Sequence, residues 1–161
     1  YGYIGLGDIS VLVFFGWLSV MGSWYLQAHS VIPAIILPAT ACGLLATAVL
    51  NINNLRDIDS DRQNGKNTLV VRLGPLNARR YHSVLLAGAL LCLALFNLIS
   101  LQSPWGWLFI LAAPPLFRQA RYVMRERDPL AMRPMLERTV KGALLTNLLF
   151  VVGIILSQTL N

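Results

Sequence analysis

Three aspartates fall within five positions of the stretch NINNLRDIDSDRQNGKNTL, residues 51–69, and an asparagine stands four residues before the first of them. Asn53, Asp57 and Asp61 are spaced four and four, so a helix running through them would stack an amide and two carboxylates on one face, a turn apart. Asp59 lies two residues from each neighbour and points elsewhere, toward a nearby arginine. Two carboxylates stacked in this way repel each other unless a cation lies between them. A divalent ion would remove the penalty. Magnesium suits the donor set, because it is a hard ion that takes one or two carboxylates and completes its octahedron with water and phosphate oxygens. Asn53 would be a weaker ligand or would orient one, with Asn54 as the alternative amide. Lys66 and Arg72 follow in the Gly-bounded turn NGKNTLVVRLG, and Arg56 precedes Asp57 directly. Carboxylates that hold magnesium beside cations that hold phosphate oxygens are the usual complement of a diphosphate.

Two other chemistries fail on position. The run from Asp57 opens like a calcium-binding EF-hand loop, but Arg62 stands where glycine is needed and Thr68 where glutamate is needed. Gly65-Lys66-Asn67-Thr68 echoes a phosphate-binding P-loop, but Ser60 replaces its first glycine. The bland alternative is a solvated loop with local ion pairs, Asp57 with Arg56 or Asp61 with Arg62.

The elements that must position this cluster are membrane helices. Of the 161 residues, 56% are hydrophobic and 12% charged, where a soluble domain carries about a quarter charged residues. Ile9–Leu26, Val31–Ile52 and Ser83–Ser100 contain no Lys, Arg, Asp or Glu, and each is long enough to cross a hydrocarbon layer of ~30 Å. Two further spans are expected at Trp105–Phe117, which should be ended or kinked by Pro114 and Pro115, and at Gly142–Leu160. Backbone in lipid must satisfy its own hydrogen bonds, so these runs read as helices and the fold as an all-α polytopic transmembrane bundle.

All thirteen Lys and Arg residues lie in 56–80 and 118–141. The positive-inside rule then places loops at about 53–82 and 118–141 in the cytoplasm, with the C-terminus outside. The net charge of +6 is thus a topology signal, and no nucleic-acid-binding module accompanies it. RQARYVMRERDPLAMRPMLERTVK reads as an amphipathic, inside-anchoring segment. Trp24, Trp105 and Trp107 fit an outer aromatic belt, His29 and His82 isolated interfacial positions, and Cys42 and Cys92 reduced packing residues. A transporter is the rival class, since ion pathways also use carboxylates at the membrane edge. The expected spans, however, hold no charge. A purely structural membrane subunit is the other rival.

NINNLRDIDSDRQNGKNTLVVRLG, with its DxxxD core at Asp57 and Asp61, resembles the second aspartate-rich motif of the UbiA superfamily of intramembrane prenyltransferases. The longer string and the opening YGYIGLGDISVLVFFG are similar to its menaquinone branch, the 1,4-dihydroxy-2-naphthoate polyprenyltransferases. The resemblance implies a nine-helix bundle in the bacterial inner membrane, of which these spans would be the C-terminal five. It implies Asp57 and Asp61 as magnesium ligands and catalytic groups, with Asn53 beside them. Lys66, Arg72 and Arg56 would bind the diphosphate of a polyprenyl donor, and dihydroxynaphthoate would be the acceptor. 4-Hydroxybenzoate or homogentisate are the acceptors of related branches. The first aspartate-rich motif is not among these residues, so the chain is expected to be a single domain that completes its bundle, and gains activity, only with an N-terminal half.

Overall fold

The computed structural model describes residues 5–160. Residues 1–4, which open the YGYIGLG string, and Asn161, the expected outer terminus, lie outside the described residues. Six helices follow in order: α1, Gly7–Ala28; α2, Pro33–Arg56; α3, Ile58–Gln63; α4, Leu69–Leu101; α5, 104–125; and α6, Leu130–Thr159. No strand occurs among the described residues.

Helices α1, α2, α4 and α6 are each long and apolar enough to cross a membrane. The fifth expected span, Trp105–Phe117, is helical but not of that class. Its apolar part is the shortest, and Arg118 follows at once. Pro114 and Pro115 neither end nor break it. They sit in the first turn of regular α-helix, Ala113–Arg125, where a tighter 3-10 stretch, Pro104–Ala112, gives way to it. A missing N–H is harmless at that point.

The two expected loops are mostly helical. In place of a loop over 53–82, α2 runs to Arg56, α3 occupies Ile58–Gln63 and α4 starts at Leu69, leaving only Asp57 and residues 64–68 without helix. The Gly-bounded turn is likewise partly helical. Thr68 caps α4 by accepting a hydrogen bond from the Val71 N–H at 3.3 Å, and the helix breaks at Gly74, whose φ of 75° precedes Pro75. In 118–141 only 126–129 is irregular.

The core has two parts. In mid-bundle, Leu45 of α2, Leu85, Leu86 and Leu93 of α4, Phe109 of α5 and Phe150 of α6 pack together, with Phe150 edge-on to Phe96 and Phe109. At the aspartate end, Ile52, Leu55, Ile58 and Val70 meet Val123, Met132 and Met135. The second basic segment is therefore amphipathic as expected, with Met132 and Met135 folded over the end of α2.

His82 departs from its expected interfacial place. It is fully buried on α4, with Nε2 3.0 Å from Oε1 of Gln119 on α5, and the Gln119 amide donates to the Thr139 hydroxyl of α6 at 2.6 Å. His29 is exposed and ends α1 with a left-handed φ of 48°.

Helices α1 and α2 touch through Gly16 and Gly43. A Cβ on Gly43 would stand 2.8 Å from the Leu12 carbonyl oxygen, and one on Gly16 would stand 2.8 Å from the Gly43 Cα. Small residues permit such backbone approach, one of the sources of helix affinity in lipid. Gly43→Val in the full-length protein is expected to cost about 1–3 kcal/mol, as overpacking does. Gly22→Ala, where a methyl meets nothing within 4 Å, should be neutral or stabilising. Thermal unfolding in detergent compares the two; equal midpoints would show that the crossing is not a tight one.

Candidate functional site

The aspartate motif stands where α2 stops. Asp57 has φ −98° and ψ 9°, outside regular helix, so Asn53, Asp57 and Asp61 do not share the one continuous helix that their spacing suggests. Their backbone stacking nevertheless persists: the Asp57 N–H donates to the Asn53 carbonyl at 3.1 Å, and the Asp61 N–H to the Asp57 carbonyl at 2.8 Å. Ile58, buried among Ile52, Leu55 and Met132, fixes the turn between the two carboxylates.

Each carboxylate has its own cation. Arg56 grips Asp57 in a two-pronged pair, Nε to Oδ1 at 2.7 Å and Nη2 to Oδ2 at 2.6 Å. The Lys66 ammonium donates to Asp61 Oδ1 at 3.1 Å, while its backbone N–H closes on the Asp61 carbonyl at 2.8 Å. The local pairing weighed from sequence thus occurs for Asp57 and Arg56, whereas Asp61 takes Lys66 and not Arg62. Asp61 is buried, and its Oδ2 has no partner among the described residues. Asn53 is half-buried and Asn54 buried. Arg72 lies over the backbone of Gly5, where a Cβ would meet its Nε at 3.1 Å.

Asp59 is exposed and forms no ion pair among the described residues, contrary to the arginine pairing expected of it. It lines a cavity of about 680 Å³ together with Arg62, Arg79, Arg125 and Arg127. No group of three His, Cys, Asp or Glu able to hold a metal ion occurs among the described residues.

Two polar residues near the motif escaped the sequence reading. Asn51, one turn before Asn54, is fully buried with neither amide atom partnered among the described residues. Asp8, at the start of α1, is 4% exposed and faces the Tyr81 hydroxyl of α4. Both had a visible signal, as a polar residue entering an apolar run, but nothing in the spacing connects Asp8 with a motif fifty residues away.

Residues 1–145 match the UbiA prenyltransferase family. The 1,4-dihydroxy-2-naphthoate octaprenyltransferase of Escherichia coli K12 is 85% identical over 158 residues, which cover 98% of this chain and 51% of that protein. The protein of the same name from Haemophilus influenzae is 52% identical over 97% of this chain and 51% of its own length. More distantly, rat UbiA prenyltransferase domain-containing protein 1 is 34% identical over 96% of this chain and 44% of its own. The chain spans about half the length of the curated relatives it matches.

The Arg56 pair leaves a measurable mark. Its hydrogen bonds hold the Asp57 carboxyl below its ordinary 3.8, against the opposing effect of partial burial, with the charges of Arg56, Lys66 and Arg133 adding to the lowering. A carboxyl with a lowered pKa stabilises the fold above its ordinary value, and that gain fades as pH falls through the lowered one. Arg56→Gln in the ligand-free full-length protein should therefore show a deficit in denaturant stability that is constant above about pH 5 and shrinks below about pH 4. A deficit that persists unchanged in acid would mean that Arg56 acts by packing and not by its charge.

Proposed function

Because this chain belongs to the UbiA prenyltransferase family, we propose that the intact protein transfers a polyprenyl group from its diphosphate to 1,4-dihydroxy-2-naphthoate, with loss of carbon dioxide, giving demethylmenaquinol, the reduced form of demethylmenaquinone. The observation that carries this reading is the near-complete coverage of the chain by an 85%-identical octaprenyltransferase, which also favours an eight-unit donor. The protein would work as a multi-pass protein of the bacterial inner membrane, with the aspartate end on the cytoplasmic side and the N-terminal part of the bundle supplying the first aspartate motif.

The donor chemistry fits magnesium. Asp61 keeps one carboxylate oxygen without a partner among the described residues, Asp57 lies a turn away, and Asn53 supplies an amide. Asp57 and Asp61 would hold the ion, with Asn53 directly or beside it, and water and diphosphate oxygens would complete the shell. Magnesium bound there would offset charge on the diphosphate.

Lys66 and Arg72 would take the diphosphate oxygens on the loop side. Arg56 has a conditional role. Its guanidinium contacts both oxygens of Asp57, so a metal that took them over would release it, and the diphosphate is the natural new partner for it. The C–O bond to the diphosphate breaks with its electron pair leaving on oxygen. The electron-rich acceptor ring then closes a C–C bond to the allylic carbon, and the acceptor carboxyl departs as carbon dioxide. Apolar helix faces around the isoprenoid keep water from the cation.

The test follows radiolabelled polyprenyl diphosphate onto dihydroxynaphthoate by the full-length protein, with magnesium and with chelator. Product should require magnesium and fall by about 10²-fold or more in Asp57→Ala and Asp61→Ala, while Asp59→Ala retains most activity. Product indifferent to chelator and to both aspartates would reject the metal site. Product found with 4-hydroxybenzoate but not with dihydroxynaphthoate would reject the acceptor.

A further inference from the structure

Beside the Asp61–Lys66 pair lies a cavity of about 290 Å³. Its walls come from three places: Asp8 and Val11 of α1, Leu50 and Asn54 of α2, and Lys66 and Thr68 of the connection into α4. Val11 and Leu50 give it an apolar side. Asp8 and Lys66 add residues of opposite charge to the lining.

Asp8 is buried, and its Oδ1 has no partner among the described residues. A carboxylate oxygen withdrawn from water without a donor is costly, and a hydrogen-bond donor relieves that cost. Lys66 carries three donors and directs one to Asp61 Oδ1. The Thr68 oxygen accepts from the Val71 N–H, which leaves its own O–H to donate. The cavity thus suits an occupant with a hydroxyl donor for Asp8, an anionic acceptor for Lys66 and Thr68, and an apolar body for Val11 and Leu50.

Its size is at the small end of ligand sites, which run from roughly 300 to 1,000 Å³. A polyprenyl chain is too large for it, and a diphosphate would set negative charge against Asp8 with no donor to offer. A hydroxyaryl acid meets all three demands. We propose that this cavity seats the aromatic acceptor, with Asp8 taking a hydrogen bond from a ring hydroxyl and Lys66 and Thr68 facing the carboxylate. The assignment rests on the prenyl-transfer reading above and deepens it. In dihydroxynaphthoate the 1-hydroxyl is adjacent to the carboxylate and bonds to it internally, so the 4-hydroxyl is the one that reaches Asp8. Lys66, shared between this carboxylate and the motif, sets the ring beside the leaving diphosphate. Asp8 is then a specificity-determining residue, recognising the hydroxyl.

The experiment measures equilibrium binding of 4-hydroxy-2-naphthoate and of 2-naphthoate to the full-length protein in lipid, for wild type and Asp8→Asn, with magnesium-dependent farnesyl diphosphate binding in parallel. Wild type should prefer the hydroxylated probe by about tenfold or more, the scale of a hydrogen bond to a charged group. Asp8→Asn should lose that preference and leave farnesyl diphosphate affinity unchanged. Val11→Phe fills the cavity from its apolar side without touching a polar group, and should abolish binding of both naphthoates. If wild type makes prenylated naphthoate yet either variant binds the naphthoates as wild type does, the cavity assignment falls and the prenyl-transfer reading stands. Equal weakening of naphthoate and farnesyl diphosphate by Asp8→Asn would also overturn it, as a structural effect. Wild type that yields no prenylated naphthoate removes the underlying reading, and the assignment with it.

Discussion

The burial of Ile58 is the constraint on which the site depends. It sits between the first two aspartates, is 4% exposed, and packs into the cluster of Ile52, Leu55, Val70, Met132 and Met135. An apolar side chain pinned there leaves Asp57 to the turn on one side and sends Asp59 to the surface on the other. The pin comes from two directions: α2 supplies Ile52 and Leu55 from below, and the methionines of the second basic segment close over the top. The motif is thus held by packing with a segment more than seventy residues away, and its carboxylates are not free to drift as those of a solvated loop would be.

That arrangement explains what could be read from the residues and what could not. Uncharged runs such as Val31–Ile52 announce themselves, because in lipid the helix is the only economical solution for the backbone. The motif's four-residue spacing was equally legible, and the backbone keeps it through the Asp57 N–H and Asp61 N–H bonds. The break at Asp57 was not legible. It arises where α2 leaves off and Ile58 must turn inward, and the partners that draw Ile58 in, Met132 and Met135, lie far off in sequence. The same holds for the helices within the polar segments 53–82 and 118–141. They are held by tertiary contact, as for Val70 and Val123, and a charge count carries no information on that. His82 was misplaced for a related reason: a single histidine near a basic stretch looks interfacial until Gln119 and Thr139 are brought beside it.

Electrostatics at the motif has a second layer. Two carboxylates a turn apart would repel, and here the fold resolves the conflict with its own cations, Arg56 on Asp57 and Lys66 on Asp61. The Arg56–Asp57 pair is partly open to solvent on both sides, the regime in which an ion pair contributes little net stability and exchanges readily, whereas the Lys66–Asp61 pair is open on its lysine side only. Such pairs suit the change of partners proposed for the site. A magnesium diphosphate would replace each internal contact with an equivalent one, metal for guanidinium at the carboxylate and phosphate for carboxylate at the guanidinium, so that the count of unpaired charges never rises. A pair sealed from water would resist this exchange, since separating its members exposes each to the full cost of burial.

How the bundle holds such a site steady is a separate question, because lipid tails offer helices no hydrophobic reason to associate. Two devices answer it at different depths. Gly16 against Gly43 lets α1 and α2 meet backbone to backbone, which fixes their spacing to the width of two glycines. The chain from His82 through Gln119 to Thr139 ties α4, α5 and α6 by hydrogen bonds that have no substitute in an apolar surround. The first device sets a distance and the second sets a register, since a turn's slip of any one helix would strand the polar groups of the other two. The Asp8 carboxylate belongs to both regions. It rides on α1, whose position the glycine crossing sets, and it faces Tyr81, the immediate neighbour of His82 on α4. The geometry around Asp8 is therefore defined twice over, by a contact that excludes side chains and by a network that requires them. A residue held so firmly, with an oxygen unpartnered among the described residues, suits the receiving role proposed for it.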